Sequence, residues 1–232
     1  MFDQRPTLLL FARAPMPGSV KTRLVSVLGP EGAARLYRAF LEDAARVYDD
    51  PRWSPVLYAD PDPKEPALVA IFGPPWRREA QVTGDLGSRL SEAFRAERSR
   101  VPPAILAVGS DHPALSRHSL QQLFEAIRSG EDAALIPAHD GGYCAIALSP
   151  RAELDAVFDE IPWSSAGTLE KTLERMRRRR MRVGLLAPAY DVDRPEDLER
   201  LVNDLAARDP AADDYPRETA TVLLALAPKW SG

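Results

Sequence analysis

Apolar residues along the chain fall into two patterns that alternate, short unbroken runs and longer stretches with an apolar residue at every third or fourth position. The first pattern marks buried strands, the second amphipathic helices. The run at 7–12, closed by Pro15, Pro17 and Gly18, predicts a first strand that enters a loop, with helical periodicity resuming at 20–28. Ala33, Leu36, Phe40, Ala44 and Val47 then place a stripe on a helix over 32–48. Further strands are expected at 55–59, 79–82, 104–108, 133–137, 143–148 and 181–186, and further helices at 67–72, 88–98, 116–129, 168–180 and 195–207, with a last helix within 215–227. The run at 104–108, Ala-Ile-Leu-Ala-Val, is apolar throughout, as a central strand covered on both faces must be. Strands alternating with helices of this length predict an α/β domain, a mostly parallel central sheet with helices on both faces. In such sheets ligands bind outside the carboxyl ends of the strands, so chemistry is expected in the loops that follow them.

Composition narrows this picture without changing it. A chain of 232 residues, 45% hydrophobic and 28% charged, can bury one sizeable core, and a single domain over 1–232 is expected, with its motifs inside 7–207. The net charge of −4 gives no global pull toward nucleic acid or an anionic membrane, so an anionic ligand needs a local basic cluster. Cys144 is the only cysteine, which rules out an intrachain disulfide and a cysteine-built zinc site and fits a cytoplasmic setting. The apolar run at 7–12 is too short for a signal-peptide core, and no run approaches membrane-span length.

The basic cluster stands directly after the first strand, in Arg13-Ala-Pro-Met-Pro-Gly18-Ser-Val-Lys21-Thr22-Arg23-Leu24. Three cations, a glycine that lets a ligand approach the backbone, and the free N–H groups of a helix start suit a di- or triphosphate. It is not a Walker A loop, because Lys21 follows Val20 and no Gly-Lys-Ser/Thr ending is present. A solvated surface loop would carry the same residues, but its place after the first strand favours an anion site. Gly109-Ser110-Asp111 puts a carboxylate at the tip of the central strand, where it could hold Mg²⁺ beside a phosphate or could cap a helix. Ser116 competes for that cap.

Asp140-Gly141-Gly142-Tyr143 reads as a tight turn that leaves Asp140 and Tyr143 free to face the crevice. In Asp191-Val-Asp193-Arg-Pro195, the proline marks a helix start and makes Asp193 the expected cap, while alternation points Asp191 and Asp193 the same way, so that one could reach a metal at Asp111. Ile161-Pro-Trp163-Ser164-Ser165 offers an aromatic and hydroxyls that suit an acceptor, although a staple and cap explain them slightly better. The run 177–180 is a solvated helix end, and His112, His118 and His139 show neither metal spacing nor a triad order.

Together these five segments resemble the bacterial transferases known as radical-SAM/selenodomain-associated, or arsenosugar-biosynthesis-type, glycosyltransferases of the nucleotide-diphospho-sugar transferase superfamily. The resemblance runs over residues 7–207. It implies a Rossmann-like GT-A fold related to 2-phospho-lactate and molybdenum-cofactor guanylyltransferases. By that resemblance Asp111 and Asp193 hold Mg²⁺ (or Mn²⁺), and Lys21, Arg23 and Asp111 carry catalysis. The nucleotide donor is expected against Arg13, Ala14, Pro15, Gly18, Lys21, Arg23, Gly84, Gly87 and Ser110, with segment 81–87 near the base. Asp140, Gly141, Gly142, Tyr143, Trp163 and Ser164 fall on the side of a small-molecule acceptor. Glycosyl and nucleotidyl transfer both fit these residues, and a non-catalytic nucleotide-binding or partner-docking module is the alternative. No nucleic-acid or membrane partner is expected, and the oligomeric state is open, a homodimer included.

Overall fold

The structure is a computed structural model that describes residues 5–163 and 165–227. Among the described residues, seven strands form one sheet: β1 (Thr7–Arg13), β2 (Ser54–Asp60), β3 (Arg77–Ala80), β4 (Ile105–Gly109), β5 (Ala133–Pro137), β6 (Tyr143–Leu148) and β7 (Val183–Leu185). Their order is β3-β2-β1-β4-β6-β5-β7, and only β6 runs against its neighbours, β4 and β5. The remaining pairs are parallel. The sheet is thus mixed and mostly parallel, and the reversal comes from the glycine turn expected at 140–142, which folds β6 back beside β5.

Among the described residues, eight α-helical spans cover it: α1 (Val25–Val47), α2 (Pro66–Ile71), α3 (Leu86–Arg98), α4 (Arg117–Arg128), α5 (Leu154–Phe158), α6 (Thr168–Arg178), α7 (Pro195–Ala206) and α8 (Arg217–Leu226). Strand residues alternate between two cores. Leu8 and Leu10 of β1 pack with Leu36, Phe40, Leu123 and Leu201 on one face, while Leu9 packs with Phe94, Phe158 and Met176 on the other. Burial on both faces is why these strands read as unbroken apolar runs and not as alternation.

Two local features depart from the periodicity. A short 3-10 turn, Thr22–Leu24, leads into α1, which bends where Gly29 takes a positive φ of 72° ahead of Pro30. The helical stretches expected at 20–28 and 32–48 are therefore two helices separated at Gly29, whose φ of 72° and ψ of 164° are not helical, and α1 runs across both. At the other end of the chain, the buried Asp43 carboxylate of α1 accepts the N–H groups of Glu218 (3.2 Å) and Thr219 (2.7 Å), so it caps α8 from a neighbouring helix. The last helix belongs to the core. Among the described residues, no helix is long and apolar enough to cross a membrane.

Candidate active site

β1 lies between β2 and β4, and the chain leaves β1 toward β2 before returning to β4 on the other side. That reversal of strand order opens a crevice at the carboxyl ends of β1 and β4. The loop after β1 is shaped by its own backbone: Ala14 N–H reaches the Asp60 carbonyl (3.0 Å) and Ser19 N–H that of Met16 (3.1 Å). Gly18 at φ 76° and Lys21 at φ 47° both take left-handed conformations, and the second turns the lysine inward. The two strand ends are tied by Tyr37 of α1, whose hydroxyl accepts the Arg13 N–H (3.0 Å) and lies 2.7 Å from Ser110 Oγ. Burial, with a further push from Asp111, raises the Tyr37 phenol to about 12, so it stays protonated as a structural clamp.

Asp111, just past β4, and Asp193, just before α7, meet at one point. Lys21 Nζ lies 2.5 Å from Asp111 Oδ1 and 2.8 Å from Asp193 Oδ1, between the rings of Tyr37 and Phe40. The lysine side chain is 3% exposed, whereas those of Asp111 and Asp193 are 42% and 33% exposed, so the pair shows its outer oxygens to the crevice. Burial alone would lower the Lys21 pKa, but the two carboxylates outweigh it and raise it. For Asp193 burial pushes the pKa up, and Lys21, with help from Arg23, brings it below the ordinary value. Asp191 is pushed the other way, first by burial and then by the charge on Asp193. Of this neighbouring pair, Asp193 therefore gives up its proton at a lower pH than Asp191.

The cap of α7 differs from the one the sequence suggested. Asp197 Oδ2 accepts the N–H groups of Asp193 (3.0 Å) and Arg194 (2.7 Å), so Asp197 reaches back to close the helix start. The Asp193 carboxylate is thereby left to the crevice. Asp111 is released in the same way, since Ser116 caps α4 by accepting Ser119 N–H (3.1 Å), while Val192 N–H on the Asp111 carbonyl (3.0 Å) joins the two acid-bearing segments.

The cations of the basic loop separate. Lys21 is buried against carboxylates, whereas Arg13 and Arg23 have side chains 61% and 64% exposed at the crevice, Arg23 lying 3.6 Å from Asp193 Oδ2. In segment 81–87, the Gln81 amide donates to the carbonyls of Ala12 (3.2 Å) and Tyr58 (2.8 Å), Gly84 has φ 129°, and Asp85 caps α3 at Ser88 N–H (2.8 Å). Gly87 is buried under Trp163: a Cβ there would stand 2.1 Å from the indole Nε1. Asp140 accepts Gly142 N–H (2.9 Å) within its own turn, and the Tyr143 ring meets Trp163 edge-on at 6.1 Å with its hydroxyl buried. These residues form the wall that carries Trp163. Ser164 lies outside the described residues.

Gly141 shows how tightly that wall is built. Its φ is 91° and a Cβ would fall 2.1 Å from the Ala166 carbonyl oxygen, while its own carbonyl accepts Leu169 N–H at 2.9 Å. Gly141→Ala is expected to cost about 2–4 kcal/mol, from overpacking against backbone and from a backbone angle that L residues avoid. Urea denaturation measures this, and a loss below half a kcal/mol would show that segment 165–167 yields freely.

Tyr37 and Asp60 were not singled out in the sequence, and Asp197 stood in the 191–198 segment without a role of its own. Tyr37 sits on an ordinary helical stripe, whereas Asp60, a carboxylate directly after the expected strand 55–59, and Asp197, an acid at the third position of a proline-started helix, carried signals that could have been read.

The fold is shared with solved structures. A protein from Desulfovibrio desulfuricans G20 described as a "putative nucleotide-diphospho-sugar transferase" is 31% identical, with 95% of this chain and 97% of that one covered and a TM-score of 0.84. A cytidylyltransferase from Leptospira borgpetersenii is 11% identical over 98% and 97% of the two chains, with a TM-score of 0.60. A 4-diphosphocytidyl-2C-methyl-D-erythritol synthase from Anaerococcus prevotii is 13% identical over 84% and 94%, with a TM-score of 0.55. At such identities the last two show the fold alone, that of the GT-A and nucleotidyltransferase-like α/β proteins. No curated protein matches the chain. Residues 43–165 match the family model described as "Uncharacterized protein conserved in bacteria", and with that match and the Desulfovibrio relative the chain belongs to the DUF2064 family.

Proposed function

We propose that this protein is a metal-assisted transferase that takes a nucleoside triphosphate or a nucleotide sugar as donor and passes its nucleotidyl or glycosyl group to a small-molecule acceptor. The observation that carries this reading is the meeting of Asp111 and Asp193, from segments far apart in the chain, beside the exposed Arg13 and Arg23 at the switch point of the sheet. The descriptions of the Desulfovibrio and Leptospira proteins agree with it.

The donor set fits a hard divalent cation. Two partly exposed carboxylates, completed by phosphate oxygens and water, are what Mg²⁺ or Mn²⁺ takes, and among the described residues no cluster of three or more His, Cys, Asp or Glu offers a metal a site made of protein alone. Bound there, the cation would lower the cost of negative charge on the reacting phosphates. The chain's own part is positional. Lys21 holds the two carboxylates together, Tyr37 fixes the ends of β1 and β4, and Arg13 and Arg23 present positive charge to a leaving pyrophosphate or nucleoside diphosphate. No protein nucleophile is required, because the acceptor's oxygen attacks the donor directly.

A panel of nucleoside triphosphates and nucleotide sugars with Mg²⁺ or Mn²⁺ tests this, scored by thermal shift and by release of pyrophosphate or nucleoside diphosphate. Pyrophosphate as product identifies nucleotidyl transfer and nucleoside diphosphate glycosyl transfer. Failure of every donor both to bind and to react would refute the proposal. Arg23 supplies a narrower check. Its exposure limits its worth, so Arg23→Ala is expected to weaken triphosphate binding by about 1 kcal/mol, roughly fivefold, and less at high salt. Nucleoside affinity should not move, and an equal loss for nucleoside and triphosphate in calorimetry would take Arg23 out of the phosphate site.

A further inference from the structure

The last residue of β2 is a carboxylate that the proposed reaction does not use. Asp60 Oδ2 faces the Nε of Arg13 at 3.2 Å and the Nη1 of Arg89 at 3.4 Å, and its carbonyl accepts Ala14 N–H at 3.0 Å. Arg89, on α3, extends the network: its Nε donates to the Gly84 carbonyl at 3.0 Å and its Nη1 lies 3.4 Å from Gln81 Oε1. Gln81 in turn spans the carbonyls of Ala12 and Tyr58, at the ends of β1 and β2. One carboxylate thus stands where the loop after β1 and segment 81–87 meet.

The way Asp60 engages Arg13 matters. A guanidinium has two usable edges, and fork-like recognition of a phosphate uses two parallel N–H groups on one of them. The nearest approach of Asp60 to Arg13 is at Nε, an ionic contact that leaves the arginine side chain 61% exposed and within reach of a ligand. Without this anchor a long arginine at 61% exposure would sample many rotamers, and its ordering would have to be supplied by the ligand.

We propose that Asp60 is a positioning residue that sets the Arg13 guanidinium for the terminal phosphates of the donor and, through Arg89, links the order of segment 81–87 to that of the loop after β1. This rests on the donor reading above and deepens it. It makes Asp60 favourable to anion binding although its charge is of the wrong sign, which separates it from a merely nearby acid.

The test uses the whole chain with inorganic pyrophosphate and nucleoside triphosphates as phosphate probes and free nucleosides as controls, in calorimetry. Asp60→Asn keeps the side chain's shape and removes the charge, and should weaken phosphate binding by roughly two- to twelvefold, the range for ordering one long side chain. Arg13→Ala should weaken it as well, the double variant should be no worse than Arg13→Ala alone, and Asp60→Glu should restore part of the loss. Tighter phosphate binding in Asp60→Asn, additive losses in the double variant, or an equal loss for free nucleoside would each overturn the assignment, the last by moving Asp60 to the base. The link between loops is read without any ligand by hydrogen exchange. Amides of both 14–20 and 81–88 should exchange faster in Asp60→Asn, and unchanged protection over 81–88 overturns the link whatever the protein binds. A wild-type chain that binds no phosphate probe at all would overturn the donor reading and the role of Asp60 with it.

Discussion

Asp111→Asn is expected to lower turnover by at least about a hundredfold while leaving the fold intact, since a missing charge at a reacting phosphate costs on the order of several kcal/mol in the transition state. The structure explains why the two effects separate. The main-chain carbonyl of Asp111 accepts Val192 N–H whatever its side chain is, and Ser116 caps α4 without help from Asp111. An asparagine keeps an oxygen that can accept from Lys21 Nζ, and the position is 42% exposed, so water covers what the new amide leaves unpaired. About 1 kcal/mol of stability is the most that one partly exposed ionic contact should cost. Turnover, metal dependence and the denaturation midpoint should be measured on the same preparation. Activity within a few-fold of wild type, with the same response to Mg²⁺, would remove Asp111 from the metal site, whereas equal collapse of activity and stability would make it a structural residue.

Much of the fold was legible because burial on two faces writes itself into the sequence. Both strands of the 133–148 hairpin and the central strand at 105–109 appear within a residue of where the apolar runs place them. The edge strands were harder: β3 has the sequence Arg-Arg-Glu-Ala, and its pairing with β2 comes from tertiary context, not from pattern. α5 is five residues long, too short to show a helical period, and is held by burial of Leu154, Val157 and Phe158. The break read between the helical stretches 20–28 and 32–48 is present, because Gly29 takes a non-helical φ of 72° and ψ of 164° directly ahead of Pro30.

At the site, residue types were readable and partners were not. A lysine, an arginine and two aspartates after strand ends announce an anion and a cation, but nothing local says that Lys21 is spent on Asp111 and Asp193. Lys21 and Asp193 are 172 positions apart, and their contact exists only once the sheet has formed. The left-handed backbone at Lys21, which decides that it points inward, has no glycine to advertise it. The pairing of Gly87 with Trp163 is hidden for the same reason, since a glycine needed for close packing looks like one needed for a turn.

That inward turn makes Lys21→Met the second variant with a large expected effect. Methionine fills the same channel beside Tyr37 and Phe40 and meets the same backbone angle, so the change removes the ammonium and little else. Asp111 and Asp193 are then opposed with no counter-ion between them. Breaking a fully buried pair costs about 3–5 kcal/mol, and because both carboxylates are partly exposed water reduces this to about 1–3 kcal/mol. The pH dependence identifies the cause. Lys21 holds the Asp193 pKa below its ordinary value of 3.8, so the stability it confers is present above that value and is lost as pH falls through the depressed one. The deficit of Lys21→Met against wild type should accordingly be full at neutral pH and should shrink as acid protonates Asp193. Mg²⁺ should recover part of it at neutral pH by returning positive charge to the same place. Urea denaturation in chelated buffer across this range, with and without added metal, measures all three effects, and a deficit that is the same in acid as at neutrality would mean that Lys21 holds this corner of the fold by packing and not by its charge.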